Sequence, residues 1–327
     1  MTAKWALVAH GGAGVIEKGD LKPEQERAYR EAMARAAETG AAVLKAGGAA
    51  LDAVEAAVRL FEDDPLFNAG RGAVFTAEGE IELDASVMDG ASRAAGAVAG
   101  LSRTRHPISA ARAVMEHSPH VFLGGEGAEA FARSRGLEAV EPGWFFTERR
   151  WRSLVRALER EGLAVPPRPA WAPAEADARA ALAHDEGKRG TVGVVALDTD
   201  GNVAAGTSTG GVTAKRYGRV GDSPIIGAGT YASNAAAAVS CTGAGEYFIR
   251  LSVARTICAL VELKGLTLQA ACDAVVQDEL TALGGEGGVI AVAPDGEMAW
   301  SFNSSGMYRA RIAADRPLEV AIYKDER

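Results

Sequence analysis

The chain has 327 residues, with 43 acidic and 35 basic side chains and a formal net charge of −8. Hydrophobic residues at 48% and charged residues at 24% are the balance of a globular chain rather than a disordered one, long enough for one or two domains. An acidic chain without a Lys/Arg cluster excludes a nucleic-acid or anionic-membrane surface.

The N-terminal apolar run, residues 3–9, is too short for a signal peptide. No other run approaches the roughly 20 apolar residues of a spanning helix, so the expected location is the cytoplasm. Residues 5–9 read as a strand ending in His10-Gly11-Gly12-Ala13-Gly14. A helix follows from Pro23 to the Gly47-Gly48 stop, and a second places Leu51, Val54, Val58 and Phe61 on one face before Pro65. A glycine-punctuated loop at 68–72 leads to short strands at 73–76 and 81–88 around the Glu78-Gly79 turn. A small-residue strand at 94–101 and a helix at 109–117 come next. Trp151, Leu154, Val155 and Leu158 mark another amphipathic helix.

Residues 163–190 break this pattern. Pro166, Pro167, Pro169 and Pro173 crowd together, and polar, Ala-rich sequence runs on to Gly190, so the composition supplies no packed face and reads as a long mobile linker. A structureless connection of this length inside a compact domain usually has a function. Regular patterning restarts with a buried strand at 191–197, the Asp200-Gly201 hairpin turn and a partner strand at 203–208. Two helices follow, carrying Phe248, Leu251, Ala254, Cys258 and Val261 and then Leu268, Ala271, Cys272 and Val275. Strands at 289–293, 298–302 and 318–323 close the chain. Grouped strands, grouped helices and hairpins predict antiparallel sheets with helices on their outer faces.

Cys241, Cys258 and Cys272 lack C-x-x-C spacing and are odd in number, which excludes a disulfide framework or a four-cysteine zinc site and leaves reduced core residues. Five scattered histidines make no metal-binding pair, and G-x-S-x-G is absent. The glycine stretches at 10–14 and 284–288 match no nucleotide-binding fingerprint, and a tight turn or close backbone approach is the expected reading of both rather than a phosphate cradle. An enzyme built on this chain needs a nucleophile activated by something other than histidine. Thr191 opens a buried strand directly after Gly190 and the long lead, and the hairpin returns Thr209 beside it. A β-branched residue opening a strand is by itself ordinary.

His10-Gly11-Gly12-Ala13-Gly14, Pro65-Leu66-Phe67-Asn68-Ala69-Gly70 and Leu83-Asp84-Ala85-Ser86-Val87-Met88-Asp89-Gly90 occur in the first half of the chain. Gly190-Thr191-Val192-Gly193, Thr207-Ser208-Thr209-Gly210-Gly211, Gly218-Arg219-Val220-Gly221-Asp222-Ser223-Pro224 and Ser240-Cys241-Thr242-Gly243 follow. Together these ordered motifs resemble the plant-type L-asparaginase/isoaspartyl peptidase family of threonine N-terminal-nucleophile hydrolases. The likeness spans residues 5–310 and omits the Pro-rich linker.

The resemblance implies an αββα four-layer sandwich, two stacked and mainly antiparallel sheets between helix layers. It implies a precursor that cuts itself between Gly190 and Thr191 into an α fragment (1–190) and a β fragment (191–327), which together form one domain and then a dimer of cleaved units. The freed α-amine of Thr191, with an ordinary pKa of about 7.7–8.0, would act as base for its own hydroxyl. Thr209 would hydrogen-bond that hydroxyl, Thr242 and Gly243 would donate to the oxyanion, and Asn68 would support the site. Arg219 would grip the substrate α-carboxylate and Asp222 its α-ammonium, with Val220, Gly221, Thr242, Gly243, Ala244 and Gly245 completing the binding positions. No catalytic cofactor is implied. Carbonyls of Phe61, Glu62, Asp64, Phe67, Ala69 and Arg71 would wrap a structural sodium ion, Arg71 standing where the family carries an apolar residue. The implied activity is hydrolysis of isoaspartyl dipeptides and L-asparagine through a β-aspartyl ester on Thr191. Two rivals stay open, a glycosylasparaginase and an uncleaved binding protein of the same fold.

Overall fold

The computed structural model describes residues 4–175, 177–184 and 190–326. The first half runs β1 (Ala6–Gly14), α1 (Pro23–Lys45), α2 (Ala50–Asp63), β2 (Leu83–Asp89), β3 (Ala95–Leu101), α3 (Pro107–His117), β4 (Phe122–Gly124), α4 (Gly125–Ser134) and α5 (Glu148–Arg160). The second half runs β5 (Val192–Leu197), β6 (Val203–Thr209), β7 (Thr230–Ala232), β8 (Ala238–Gly243), α6 (Gly245–Leu251), α7 (Val253–Lys264) and α8 (Leu268–Asp273). A π-helical turn (Ala274–Leu280) then leads to β9 (Gly287–Val292), β10 (Met298–Phe302), β11 (Gly306–Ala313) and β12 (Arg316–Tyr323).

The strands form an eight-stranded sheet in the order β12-β11-β1-β5-β6-β2-β3-β4 and a four-stranded sheet in the order β10-β9-β8-β7. Every named pair is antiparallel except β3–β4. Period-two alternation sorts their side chains between layers. On β5, Val192, Val194 and Ala196 join the core under the first-half helices, while Val195 and Leu197 join the core between the sheets. On β8, Val239 and Cys241 face α7 and α8, while Ala238 faces inward. The order is therefore helices, large sheet, small sheet, helices: the four-layer sandwich implied by the sequence.

The inward-facing rows change character along their length. Val8, Val195, Ala205, Met88 and Ala238 are apolar. One step further on the same strands stand His10, Gly193, Thr207, Ser86 and Ser240, all on the same face by the pairing registers. The inter-sheet layer is apolar at one end and polar at the other. That polar end is the site.

Several elements differ from the sequence reading. β1 runs on through the glycine stretch to Gly14, with a bulge between His10 and Gly12, because it pairs with β11, a strand whose alternating arginines concealed it. β4 and α4 were not anticipated, since α4 begins among Gly124, Gly125 and Gly127, residues that read as loop. The three cysteines are buried and free, and burial raises each thiol pKa. The expectation that the Pro-rich stretch supplies no packed face is corrected for its described end. Ala180 and Ala183 are buried, Asp177 pairs with Arg71 at 2.6 Å, Arg179 pairs with Asp64, and the His184 amide donates to Tyr29 Oη at 3.0 Å. Residues 176 and 185–189 of the expected mobile linker lie outside the described residues.

Small residues let the helices lie close on the sheet. At Gly206, in the middle of β6, an added Cβ would stand 2.6 Å from Val54 Cγ1 and 3.2 Å from Ile108 Cδ1. Neither neighbour sits at the end of a long flexible side chain, so Gly206→Ala should overpack the α2–α3 seam and cost about 1–3 kcal/mol. Thermal unfolding should show a Tm several degrees lower with the far-ultraviolet dichroism unchanged. An unaltered Tm would mean the seam has slack.

Candidate active site

The β5–β6 hairpin pairs Val192 with Ser208, so Thr191 lands opposite Thr209, as the hairpin predicts. The Thr191 hydroxyl donates to Thr209 Oγ1 at 3.2 Å, the Gly211 amide donates to the same oxygen at 2.9 Å, and Thr209 donates its own proton to the Gly190 carbonyl at 3.0 Å. One donation and two acceptances use the hydroxyl fully. Asn68 comes from the loop after α2. Its amide nitrogen donates to the carbonyls of Gly190 (2.9 Å) and Gly211 (2.7 Å), while its Oδ1 accepts from the Val74 amide at 2.9 Å. The Gly190 carbonyl thus receives two hydrogen bonds, the arrangement that stabilises charge developing on a carbonyl under attack.

Gly211 joins this centre to the charged residues: a Cβ there would lie 3.6 Å from Arg219 Nη1. Arg219 and Asp222 converge on Gly245, where a Cβ would be 2.8 Å from Asp222 Oδ1 and 3.0 Å from Arg219 Nη2. A cation and an anion therefore border one small space that only glycine leaves open. Asp222 is buried, its Oδ2 has no hydrogen-bond partner among the described residues, and burial pushes its pKa up to about 7. Sequence reasoning missed Glu246, which takes Arg219 Nε and Nη2 side-on at 2.9 and 3.0 Å. That bond fixes the guanidinium while its Nη1 lies toward Gly211 and Gly221. The only sequence signal was a carboxylate directly after the glycine run at 243–245. Val220 is exposed on this loop, and Gly221 is buried under Arg219.

Thr242 and Gly243 end β8. The Thr242 hydroxyl accepts from the Ala13 amide at 3.3 Å, which leaves its own proton to donate. Gly12, next to Ala13, lies against the nucleophile, its Cβ position 3.5 Å from Thr191 N and O. Ala244 carries the turn into α6, its amide held by the Glu286 carbonyl at 2.9 Å. His10 accounts for the first glycine motif. Nδ1 stands 3.1 Å from the Thr191 carbonyl, and burial drives its pKa down to about 3, against the opposing pull of that bond.

The loop of Phe61, Glu62, Asp64, Phe67, Ala69 and Arg71 closes on itself. The Arg71 amide donates to the Glu62 carbonyl at 2.7 Å, and Gly72 sits so close that a Cβ would be 2.7 Å from the carbonyls of Phe67 and Pro65. The Arg71 side chain is drawn away to Asp177 and lies 5.0 Å from the Trp144 ring. Among the described residues, no group of three or more His, Cys, Asp or Glu is placed to hold a metal ion, and no helix is long and apolar enough to cross a membrane.

The family model described as Asparaginase matches residues 3–322. The isoaspartyl peptidase of Escherichia coli K12 is 52% identical over 99% of this chain and 97% of its own length. The plant-type L-asparaginase of Pyrococcus furiosus is 44% identical over 92% and 94%, and the isoaspartyl peptidase/L-asparaginase of Mus musculus is 42% identical over 94% and 87%.

Glu62 also shapes the site from behind. Its Oε1 accepts from Ser208 Oγ (2.7 Å) and the Ile108 amide (2.9 Å), Oε2 has no partner among the described residues, and burial pushes the carboxyl pKa up to about 8. Between its ordinary 4.5 and about 8, the native chain keeps a proton that the unfolded chain has released, so stability falls as pH rises through that window. Glu62→Gln retains the accepting oxygen without the charge and should flatten this fall. Urea unfolding from pH 5 to 8 tests it: equal pH slopes in both proteins would locate the burial cost elsewhere.

Proposed function

The chain belongs to the asparaginase family of threonine N-terminal-nucleophile hydrolases, and on that footing we propose that it hydrolyses β-aspartyl amides, both isoaspartyl dipeptides and L-asparagine, after cutting itself before Thr191. The observation that carries the proposal is the Thr191–Thr209–Gly190 triangle: a nucleophile, a hydroxyl partner and a carbonyl already polarised by two donors.

In the first reaction the Thr191 hydroxyl attacks the Gly190 carbonyl and the peptide nitrogen leaves as the α-amine. Water then hydrolyses the resulting ester, giving fragments 1–190 and 191–327, which stay together as one folded domain. In each later turnover the α-amine accepts the hydroxyl proton while Thr191 Oγ attacks the side-chain carbonyl of the substrate. Ammonia or an amino acid leaves, and water releases aspartate from the β-aspartyl ester. Thr242 Oγ1 and the Gly243 amide are assigned to the oxyanion, Arg219 to the α-carboxylate and Asp222 to the α-ammonium. Val220, Gly221, Ala244 and Gly245 wall that space. His10 is no candidate for that base: its Nδ1 meets the Thr191 carbonyl and its Nε2 meets Ser240 Oγ, and burial, which drives its pKa down to about 3, makes the ring a weak proton acceptor.

A structural sodium ion fits the Asn68 loop. Its donors are carbonyls, which suit a hard cation, and Gly70 and Gly72 leave the space a Cβ would fill. The carbonyls of Phe61, Glu62, Asp64, Phe67, Ala69 and Arg71 would hold it, and it would stiffen the loop that aims Asn68. A dimer of cleaved units in the cytoplasm completes the proposal.

A denaturing gel and a β-aspartyl dipeptide assay test this reading together. Thr191→Ala should stay a single folded chain without activity, because one hydroxyl serves both reactions; cleavage at residue 190 in that variant would sink the proposal. Arg219→Ala should cleave normally yet lose about 10²-fold or more in kcat/KM, since the carboxylate clamp plays no part in processing. Parallel loss of both reactions would assign Arg219 to the framework instead.

A further inference from the structure

A chain of buried side chains crosses the inter-sheet layer beneath the nucleophile. His10 Nδ1 meets the Thr191 carbonyl at 3.1 Å and Nε2 meets Ser240 Oγ at 3.0 Å. Ser240 Oγ meets Thr207 Oγ1 at 2.7 Å, Thr230 donates to Thr207 at 2.6 Å, and Ser86 Oγ lies 2.8 Å from Thr230 Oγ1 and 2.6 Å from the Ser223 carbonyl. All five side chains are fully buried. They alternate between sheets: His10, Thr207 and Ser86 on β1, β6 and β2; Ser240 and Thr230 on β8 and β7.

The proton arithmetic has one dominant solution. A carbonyl only accepts, so His10 must carry its proton on Nδ1, and Nε2 then accepts from Ser240. With that proton committed, Thr207 donates to Ser240 and Thr230 to Thr207, both toward Thr191, while Ser86 ends the chain, its one proton facing the Ser223 carbonyl at 2.6 Å and Thr230 Oγ1 at 2.8 Å. Gly193 makes the junction possible, because a Cβ there would overlap both Ser240 Oγ and His10 Nε2.

Thr191 lies one residue before β5, beyond the last β1–β5 ladder pair, His10 with Gly193. Once the 190–191 bond is cut, Thr191 becomes a chain terminus, and termini fray unless tied. We propose that His10, held as the neutral Nδ1–H tautomer by the Ser240–Thr207–Thr230 hydroxyl chain, is the positioning residue that anchors the Thr191 carbonyl and so fixes the pose of the nucleophile. The tautomer stands on geometry alone; its use in catalysis rests on the hydrolase reading above.

Two measurements test this on the full-length, self-processed protein. Nitrogen-15 NMR of histidine-labelled wild type should show His10 as a single neutral Nδ1–H tautomer; an Nε2–H form, or an even mixture, would overturn the proposal whether or not any variant folds. Turnover of a β-aspartyl dipeptide, counted per cleaved chain, gives the second. Thr207→Val keeps the shape but ends the chain, and should lower kcat by about ten- to a hundredfold with KM within about twofold, because a displacement near 1 Å costs that much. Thr207→Ser should restore wild-type kcat. His10→Asn, whose amide can donate from the Nδ1 position, should recover at least about tenfold over His10→Ala. A folded Thr207→Val with wild-type kcat, or a loss seen only in KM, would refute the positioning role. Failure of the wild type itself to hydrolyse the dipeptide would instead refute the hydrolase reading and leave the tautomer result standing.

Discussion

Everything at this site depends on one hydrogen-bonded pair, the Thr191 and Thr209 hydroxyls 3.2 Å apart, and that pair depends on the register of a hairpin. β5 and β6 are joined by the three-residue loop Thr199-Asp200-Gly201, closed by Asp198 N donating to Asn202 O at 3.0 Å, and the count from that pair puts Val192 opposite Ser208. A slip of one residue would carry Thr209 to the helix face and bring Ser208, now bound to Glu62, into the site. The bulky row Val195, Leu197, Val203 and Ala205 packed between the sheets resists that slip, because the slip would move each of them out of its core. The hydrophobic layer thus sets the geometry of the nucleophile without touching it.

Glycines do for the surroundings what the register does for the nucleophile. Gly211, Gly221 and Gly245 hold Arg219 and Asp222 against the backbone, and Gly193 lets an imidazole and a serine meet beside the strand that carries Thr191. A chain with few aromatics and many small residues builds its site by close backbone approach, using main-chain donors as freely as side chains. The Gly211 amide on Thr209 and the Ala13 amide on Thr242 are two such donors. The glycine-rich stretches thus serve close backbone approach without carrying a nucleotide fingerprint.

The sequence made the Thr191–Thr209 meeting legible, because two alternating strands joined by one short turn bring their far ends together. It also made the reduced cysteines and most helices legible, since their apolar stripes are local. It concealed β11, where Arg309 and Arg311 interrupt the apolar signal. Arg309 is nonetheless buried, its Nη1 and Nη2 donating to the carbonyls of Met307 and Tyr323 at 3.1 and 3.2 Å while Nε has no partner among the described residues. It concealed α4, whose glycine-rich start has low helix propensity and is held by packing instead. Asn68 was legible only through family likeness, because three of its four hydrogen bonds reach residues far along the chain, Gly190, Gly210 and Gly211. The hydroxyl chain under His10 was not legible at all: serines and threonines spread over four strands become one network only when two sheets stack.

The polar end of the inter-sheet layer carries a cost that the apolar end does not. The carboxyl oxygens Asp84 Oδ2 and Asp222 Oδ2 are buried without hydrogen-bond partners among the described residues, and burial raises the pKa of both groups. An unpartnered buried oxygen forfeits the water it had in the unfolded chain, a loss of about 1–3 kcal/mol. His10 and its hydroxyls avoid that loss by satisfying one another, which rigidifies them; Asp222 does not, and it borders the open space at Gly245. Under the roles proposed for these residues the difference is the expected one: groups that hold Thr191 still are saturated within the protein, whereas a group that reads a ligand keeps bonding capacity for it. An incoming ammonium would give Asp222 Oδ2 a partner that no described residue supplies.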